Sequence, residues 1–212
     1  KALRTDFIDL YQIHQPSVDW PIEQTMGHLL RLKEMGKIRY IGVSNFSSEQ
    51  TVAALKSGPI HSSQPRYSLL FRDSEDSVLP CCFENGLGVM AFSVLAKGLL
   101  GGRYRPGDTF QPDDERYNLP YFQREKFEKI FKVTERLQAW AMDQGRDIAQ
   151  LAIAWVLSNS MVTSSIVGCR TPDHVRHNVL AADWTLTASE LQEIEEIQGD
   201  LRLKFVPRNK GK

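Results

Sequence analysis

The sequence predicts an α/β protein with a parallel sheet. Short apolar runs alternate with helical stretches along most of its 212 residues, and the first two runs end in polar groups: His14 after FIDLYQI, Ser44-Asn45 after IRYIGV. Parallel strands covered on both faces read as near-continuous apolar runs, and α/β folds gather their chemistry at the strands' carboxyl ends. Composition is the third observation. Lys+Arg and Asp+Glu each number 26, so no electrostatic footprint for nucleic acid or an anionic membrane is present.

Residues 8–14 form the first strand, with Pro16 just beyond it. Pro21 suits the first turn of a helix that passes through Leu29, Leu30, Leu32 and Lys33 and stops at Gly36. Residues 38–44 are the next strand. Ser47 or Ser48 caps the helix that follows, with Val52, Ala53 and Leu55 as its apolar side and Gly58 as its end. Residues 60–64 make a short strand. A helix within residues 73–86 starts near Val78, because Pro80 is tolerated only in a first turn. Residues 88–93 are strand again.

A Gly/Pro/Asp-rich stretch, residues 94–120, breaks the pattern; a loop of that length is either functional or disordered. Helices at residues 124–144 and 148–158 and a strand at residues 164–168 follow. Thr171 and Pro172 open a helix that ends before Trp184, and Thr187 caps the last one. Trp140, Leu151, Ile153 and Trp155 read as core. The total is five βα-type units in a single domain, residues 1–212. Right-handed crossovers make the sheet parallel, and five units are five-eighths of a (β/α)8 barrel.

Three cysteines, Cys81 and Cys82 adjacent, imply no disulfide framework. No apolar run approaches the ~18 residues of a transmembrane helix and the first residues do not resemble a signal peptide, so a cytoplasmic protein is expected. Lys1 in place of Met points to a fragment, a processed form or an incomplete sequence. Arg202, Lys204, Arg208, Lys210 and Lys212 read as a solvated tail in preference to a polyanion-binding one.

Taken singly, the candidate site residues say little. A strand-end histidine such as His14 is either hydrogen-bonded structure or catalytic. Ser44-Asn45 is a turn-and-capping pair or a binding pair. Gly98, Gly101 and Gly102 match no phosphate-loop spacing and read as a flexible loop. His174 and His177 are spaced i, i+3, but no third ligand is evident and Cys169 is not placed to help, so no metal site is expected.

Six motifs together resemble the aldo-keto reductase family, the NADP(H)-dependent carbonyl reductases built on a (β/α)8 TIM barrel. They are DLYQIHQP, GKIRYIGVSNFS, QPRYSLLFR, AFSVLAKGLLGGRY, LAIAWVL and VGCRTPDHVRHN, in the family's order. The resemblance corresponds to barrel strands 4–8 and their helices; the first three strands of the family fold have no counterpart, which makes this a partial barrel.

The resemblance implies that His14 donates to the substrate carbonyl and orients it. Ser44 and Asn45 match the pair that binds the nicotinamide carboxamide, Gln64 their further partner, and Phe92 the residue stacked on the ring. Ser93, Leu95 and Lys97 match contacts to the pyrophosphate, with Arg103 and Arg116 as basic contacts further along that loop. Gly168 and Arg170 fall where the family grips the adenosine 2′-phosphate, a task that suits a guanidinium. His174, His177 and Asn178 surround that phosphate and the adenine. Val94 stands where the family has Pro, and the two histidines replace its usual residues.

The implied activity is hydride transfer from NADP(H) to an aldehyde or ketone. The family's catalytic Tyr, Lys and Asp fall upstream of Lys1, so this chain alone is expected to lack a proton donor that contributes ~10²–10⁴-fold. A reading from another class is a non-catalytic NADP(H)-binding, redox-sensing module similar to potassium-channel β subunits. Expected partners are a small carbonyl substrate, with no nucleic acid and no membrane. Self-association is also expected, because strands 8–14 and 164–168 would each lack a neighbour. Arg72, Tyr117 and Phe122 either face the substrate pocket or pack on the surface.

Overall fold

The computed structural model describes residues 3–204. Five strands, β1 (Ile8–Ile13), β2 (Ile38–Ser44), β3 (Ser62–Gln64), β4 (Gly88–Ala91) and β5 (Ser164–Ser165), form one sheet in sequence order, and the pairs β1/β2, β2/β3 and β3/β4 are parallel. The helices are α1 (Ile22–Glu34), α2 (Ser48–Ser57), α3 (Val78–Glu84), α4 (Arg124–Asp143), α5 (Ile148–Ser158), α6 (Pro172–Val179) and α7 (Ala188–Gln198). An α/β fold with a parallel sheet is thus what the chain forms. The described residues fall into two compact units. One comprises the chain up to Arg66 with Ser74–Phe92 and Met161–Ser164; the other comprises Tyr67–Asp73, Ser93–Ser160 and the residues from Ser165 on.

In the first unit the register fixes which side chains share a face. Gln12 pairs with Gly42 and Gly42 with Ser62, while Ser44 pairs with Gln64, two residues further along. The bridge Arg66–Phe92 continues the β3/β4 register. Because side chains alternate across a strand, Gln12, Gly42, Ser44, Ser62, Gln64 and Phe92 lie on one face. The other face carries Ile41, Val43, Val89 and Ala91, all fully buried.

Helix ends follow local chemistry. Pro21 precedes α1, and Gly36 takes a left-handed φ of +69° where the chain turns toward β2. Ser47 caps α2 in a capping box with Gln50. The inward face of α2 is Thr51 and Ala54, not Val52, Ala53 and Leu55 as expected; Val52 is exposed, because the helix presents i, i+3 positions one residue out of phase with that reading.

β3, β4 and β5 are shorter than the runs that predict them. β3 starts at Ser62 instead of Ile60 and ends, as expected, at Gln64, next to Pro65, which has no N–H for the ladder; the chain leaves β4 at Ser93, whose φ is +61°. β5 spans two residues instead of 164–168. Just before it, the Thr163 side chain takes a ladder position: its Oγ1 accepts from the Val89 N–H (3.0 Å) while its own N–H donates to the Val89 carbonyl (2.9 Å).

In the second unit, α4 packs on α5 and α7, and α5 buries Ile148, Leu151–Val156 almost completely. Asp147 caps α5 and Thr187 caps α7 in a capping box with Glu190. Trp155 is core against Tyr67 (5.2 Å between rings), but Trp140 is only half-buried: it stacks on Trp184 at 6.1 Å and donates its Nε1–H to Glu193 (2.8 Å). An indole with a polar edge serves better there, one end dry and the other wet. Residues 94–120 do form a long irregular stretch. It is held by 3₁₀ turns at Ala96–Gly98 and Glu115–Asn118 and by a ring cluster of Tyr104, Phe110 and Phe122.

In the C-terminal basic run, Arg202 pairs with Glu195 and so is not a free tail residue; Arg208, Lys210 and Lys212, like Lys1, lie outside the described residues. All three cysteines are free thiols. Among the described residues no helix is long and apolar enough to cross a membrane.

Candidate functional site

In the first unit the polar end of the sheet collects four of the expected residues. Ser44 is buried, and its hydroxyl donates to the Gln64 carbonyl at 3.0 Å. Asn45 follows in a left-handed conformation (φ +59°), a geometry asparagine tolerates better than most residues. Its Nδ2 donates to the His14 carbonyl (2.9 Å) and to Ser44 Oγ (3.1 Å), tying the ends of β1 and β2 together. The His14 imidazole is exposed beyond β1.

Both hydrogens on Asn45 Nδ2 are therefore used, while its Oδ1 accepts no hydrogen bond from a described residue. Gln64 has the same character. Its Nε2 donates to Gln12 Oε1 at 2.7 Å, and its Oε1 accepts nothing from a described residue. The pair thus leaves two carbonyl acceptors, which is what the two N–H groups of a primary amide require. Phe92, at the end of β4, is half-buried with the Arg66 guanidinium 5.7 Å from its ring centre.

Gln12 was not anticipated, and it links the row. Its Nε2 donates to Ser62 Oγ (3.1 Å), so its side chain crosses over Gly42 of the middle strand. A Cβ at Gly42 would fall 2.8 Å from Gln12 Cγ and collide with Ser62 Oγ. The usable signals were a polar residue two positions before His14 and a glycine inside a strand, which marks close approach of another group.

In the second unit the irregular stretch carries Ser93, Leu95, Lys97, Arg103 and Arg116. Ser93 (+61°), Ala96 (+47°) and Lys97 (+59°) all hold left-handed backbone, an arrangement costing about 1 kcal/mol or more per residue that clusters at functional loops. Leu95 anchors the turn through its carbonyl, which accepts from Gly98 N (2.8 Å) and Leu100 N (3.2 Å). Gly98, read as part of a flexible loop, is required where it stands: φ is +97° and a Cβ would sit 2.7 Å from the Tyr104 ring.

Lys97 pairs with Glu115 at 2.6 Å. Arg103 is exposed, 5.9 Å from the Tyr104 ring centre. Arg116 is held on several sides. Its Nε donates to Asp114 Oδ1 (2.8 Å), its Nη atoms reach Asp114 Oδ2 and Tyr104 Oη, and it lies over the Tyr104 and Phe110 rings at 4.9 and 4.8 Å. Hydrogen bonds from the Arg116 side chain and backbone lower the Asp114 carboxyl to about 2, with the charge of Arg170 adding to the effect.

The other expected residues of this unit lie around α6. Gly168 and Arg170 are exposed just before it. Thr171 caps the helix, and His174 Nδ1 accepts from the Arg170 N–H (3.3 Å). His177 is turned to α5, its Nε2 2.8 Å from Asp147, and Asn178 donates to Cys169 Sγ at 3.4 Å. Among the described residues no group of three or more His, Cys, Asp or Glu gathers as metal ligands.

Arg72 pairs with Glu195 (2.6 Å) and lies over Trp155. Tyr117 and Phe122 line a cavity of about 900 Å³ between residues 106 and 128. No sequence signal marks the carboxylates Asp114 and Glu115, because their partners are fixed by loop geometry without a periodic pattern.

Comparison with known proteins adds the context. The sequence model of the Aldo/keto reductase family matches residues 1–198. The aldo-keto reductase YhdN of Bacillus subtilis is 36% identical over 198 residues, covering 93% of this chain and 60% of that protein. The NADH-specific methylglyoxal reductase of Escherichia coli is 34% identical over 200 residues, 93% of this chain and 61% of that one. The solved structure of a glycerol dehydrogenase from Gluconobacter oxydans superposes with a TM-score of 0.89 at 33% identity, covering 99% of this chain and 64% of the other. A thermostable aldo-keto reductase solved with the inhibitor epalrestat gives a TM-score of 0.71 at 27% identity, covering 92% and 61%. The chain spans about three-fifths of the length of the curated relatives it matches.

Proposed function

The chain belongs to the aldo/keto reductase family, and we propose that it carries the cofactor-binding part of an NADP(H)-dependent reductase of small aldehydes or ketones. The observation that carries this reading is the strand-end cluster of Ser44, Asn45 and Gln64 beside His14, with its two unused carbonyl acceptors. In this reading residues 1–212 correspond to strands 4–8 of the family barrel and make up one domain.

The dinucleotide, when bound, supplies the hydride. In the first unit Asn45 Oδ1 and Gln64 Oε1 accept the carboxamide N–H groups, and Phe92 offers a flat apolar face to the ring. His14 donates an N–H to the substrate carbonyl oxygen and holds it in place. In the second unit Lys97 and Arg103, with the backbone N–H groups of Ser93 and Leu95, meet the pyrophosphate. Arg116 and Arg170 supply guanidinium groups for the phosphates, Arg170 for the 2′-phosphate beside Gly168. His174, His177 and Asn178 border that end, His174 through its acceptance from Arg170 N–H and His177 already committed in part to Asp147.

No residue among these 212 matches the family's catalytic Tyr, Lys or Asp. The chain by itself therefore binds and orients but transfers a proton poorly, and its carbonyl-dependent NADPH oxidation is expected to be negligible. The cofactor choice rests on Arg170; the Escherichia coli relative is NADH-specific, so the two dinucleotides must be compared directly. Equilibrium titrations with NADPH and NADH test this. Tighter binding of NADPH, lost in Arg170→Ala, supports the assignment; equal affinities unchanged by the substitution would refute it.

A further inference from the structure

We propose that Gln12 is the positioning residue that sets which end of the Gln64 amide faces the nicotinamide. The inference rests on the carboxamide reading of Gln64 above. A glutamine side chain presents a carbonyl at one end and an NH₂ at the other, and either can face a ligand unless a neighbour fixes it. Here the neighbour is Gln12, which takes a hydrogen from Gln64 Nε2 at 2.7 Å.

The Gln12 amide is oriented in turn, because its own Nε2 donates to Ser62 Oγ at 3.1 Å. Gly42 leaves the space through which Gln12 reaches across β2. The relay thus runs from Gln64 N–H to Gln12 carbonyl, and from Gln12 N–H to the Ser62 hydroxyl. Its outcome is a Gln64 carbonyl that points out as an acceptor, selective for a ligand group that carries N–H.

The test compares a nicotinamide dinucleotide with its 3-acetylpyridine analogue, in which a methyl group replaces the carboxamide NH₂. ADP-ribose, which lacks the ring, serves as a control for the fold and the phosphate contacts. The full chain is expected to prefer the carboxamide dinucleotide by about 3–10-fold, the scale of one net hydrogen bond. Gln12→Leu is expected to remove the share of that preference that comes from Gln64, keep the share that comes from Asn45, and leave ADP-ribose affinity unchanged. Gln12→Glu, which retains an acceptor for Gln64 Nε2 and can accept from the Ser62 hydroxyl, is expected to keep the whole preference. Ser62→Ala provides a second, milder break in the relay, with a partial loss of preference.

A preference that is undiminished in Gln12→Leu overturns the inference. So does a parallel fall in ADP-ribose affinity in both Gln12→Leu and Ser62→Ala, which marks the row as structural. Equal binding of the two dinucleotides by the unsubstituted chain also overturns it, because the relay then runs in reverse and Gln64 presents its NH₂. If no nicotinamide dinucleotide binds the unsubstituted chain while ADP-ribose does, the carboxamide reading itself fails and takes this inference with it.

Discussion

Replacing Gly42 by Ala puts the Gln12–Gly42–Ser62 row under a defined stress. The new Cβ would stand 2.8 Å from Gln12 Cγ and 3.0 Å from its Nε2, and would collide with Ser62 Oγ, where carbon contacts settle at roughly 3.5–4.0 Å. Gln12 must move away, losing its bonds to Gln64 and Ser62, at about 0.5–1.5 kcal/mol each. Overpacking adds about 1–3 kcal/mol, against which the lower chain entropy of Ala returns about 0.5–1 kcal/mol. The net expectation is about 1–5 kcal/mol of destabilisation. Urea unfolding followed by tryptophan fluorescence should show this as a midpoint lowered by about 0.5 M or more at unchanged slope. In a Gln12→Ala background the same substitution should cost about 1–3 kcal/mol less, because the obstructing side chain is gone. A loss below about 0.5 kcal/mol, or costs that simply add in the double variant, would refute the close-packed row.

Three further outcomes follow from the site. Asn45→Gly keeps the left-handed backbone but removes the bonds to His14 and Ser44, so dinucleotide affinity should fall about 5–10-fold; an unchanged affinity in the titration would contradict the role given to Asn45. The Asp114 carboxyl is lowered from 3.8 to about 2 by Arg116, so its pairing stabilises the fold above the ordinary carboxylate range and is lost as pH falls from about 4 toward 2. Carboxyl-detected NMR titration should find the Asp114 midpoint near 2, moving toward the ordinary value in Arg116→Ala, and a midpoint near 4 in the unsubstituted chain would contradict it. Burial raises the thiol pKa of both Cys81 and Cys82 while Cys169 is exposed, so a thiol-disulfide reagent should modify Cys169 rapidly and the other two only on unfolding; rapid modification of all three in the native protein would contradict that burial.

What the sequence made legible was punctuation. Pro21, Ser47, Gly58, Thr171 and Thr187 mark helix ends through chemistry local to a few residues, and the helices start or stop where those residues stand. Apolar runs overestimated strand length, because an apolar side chain does not reveal where the ladder ends. β4 stops before Ser93, where the backbone turns left-handed, and β5 spans two residues although Thr163 takes a ladder position just before it. The phase of α2 was misread since Val52 and Thr51 differ little in size, and the neighbours of the helix decide which of them is buried.

The strand-end residues His14, Ser44, Asn45 and Gln64 were legible through their motifs. Gln12 was not, because its role depends on register across three strands, which no single segment encodes. The same holds for Arg116, whose orientation comes from Asp114 beside it and from Tyr104 and Phe110 brought in by the loop.

The central claim is that Asn45 and Gln64 accept the amide of a nicotinamide dinucleotide. The most direct measurement is an NMR titration of the isotope-labelled chain with NADPH, following the side-chain NH₂ resonances of Gln12, Asn45 and Gln64. Saturable shifts of Asn45 and Gln64, absent with ADP-ribose, are the expected result. Saturable NADPH binding that leaves all three resonances in place would contradict the account.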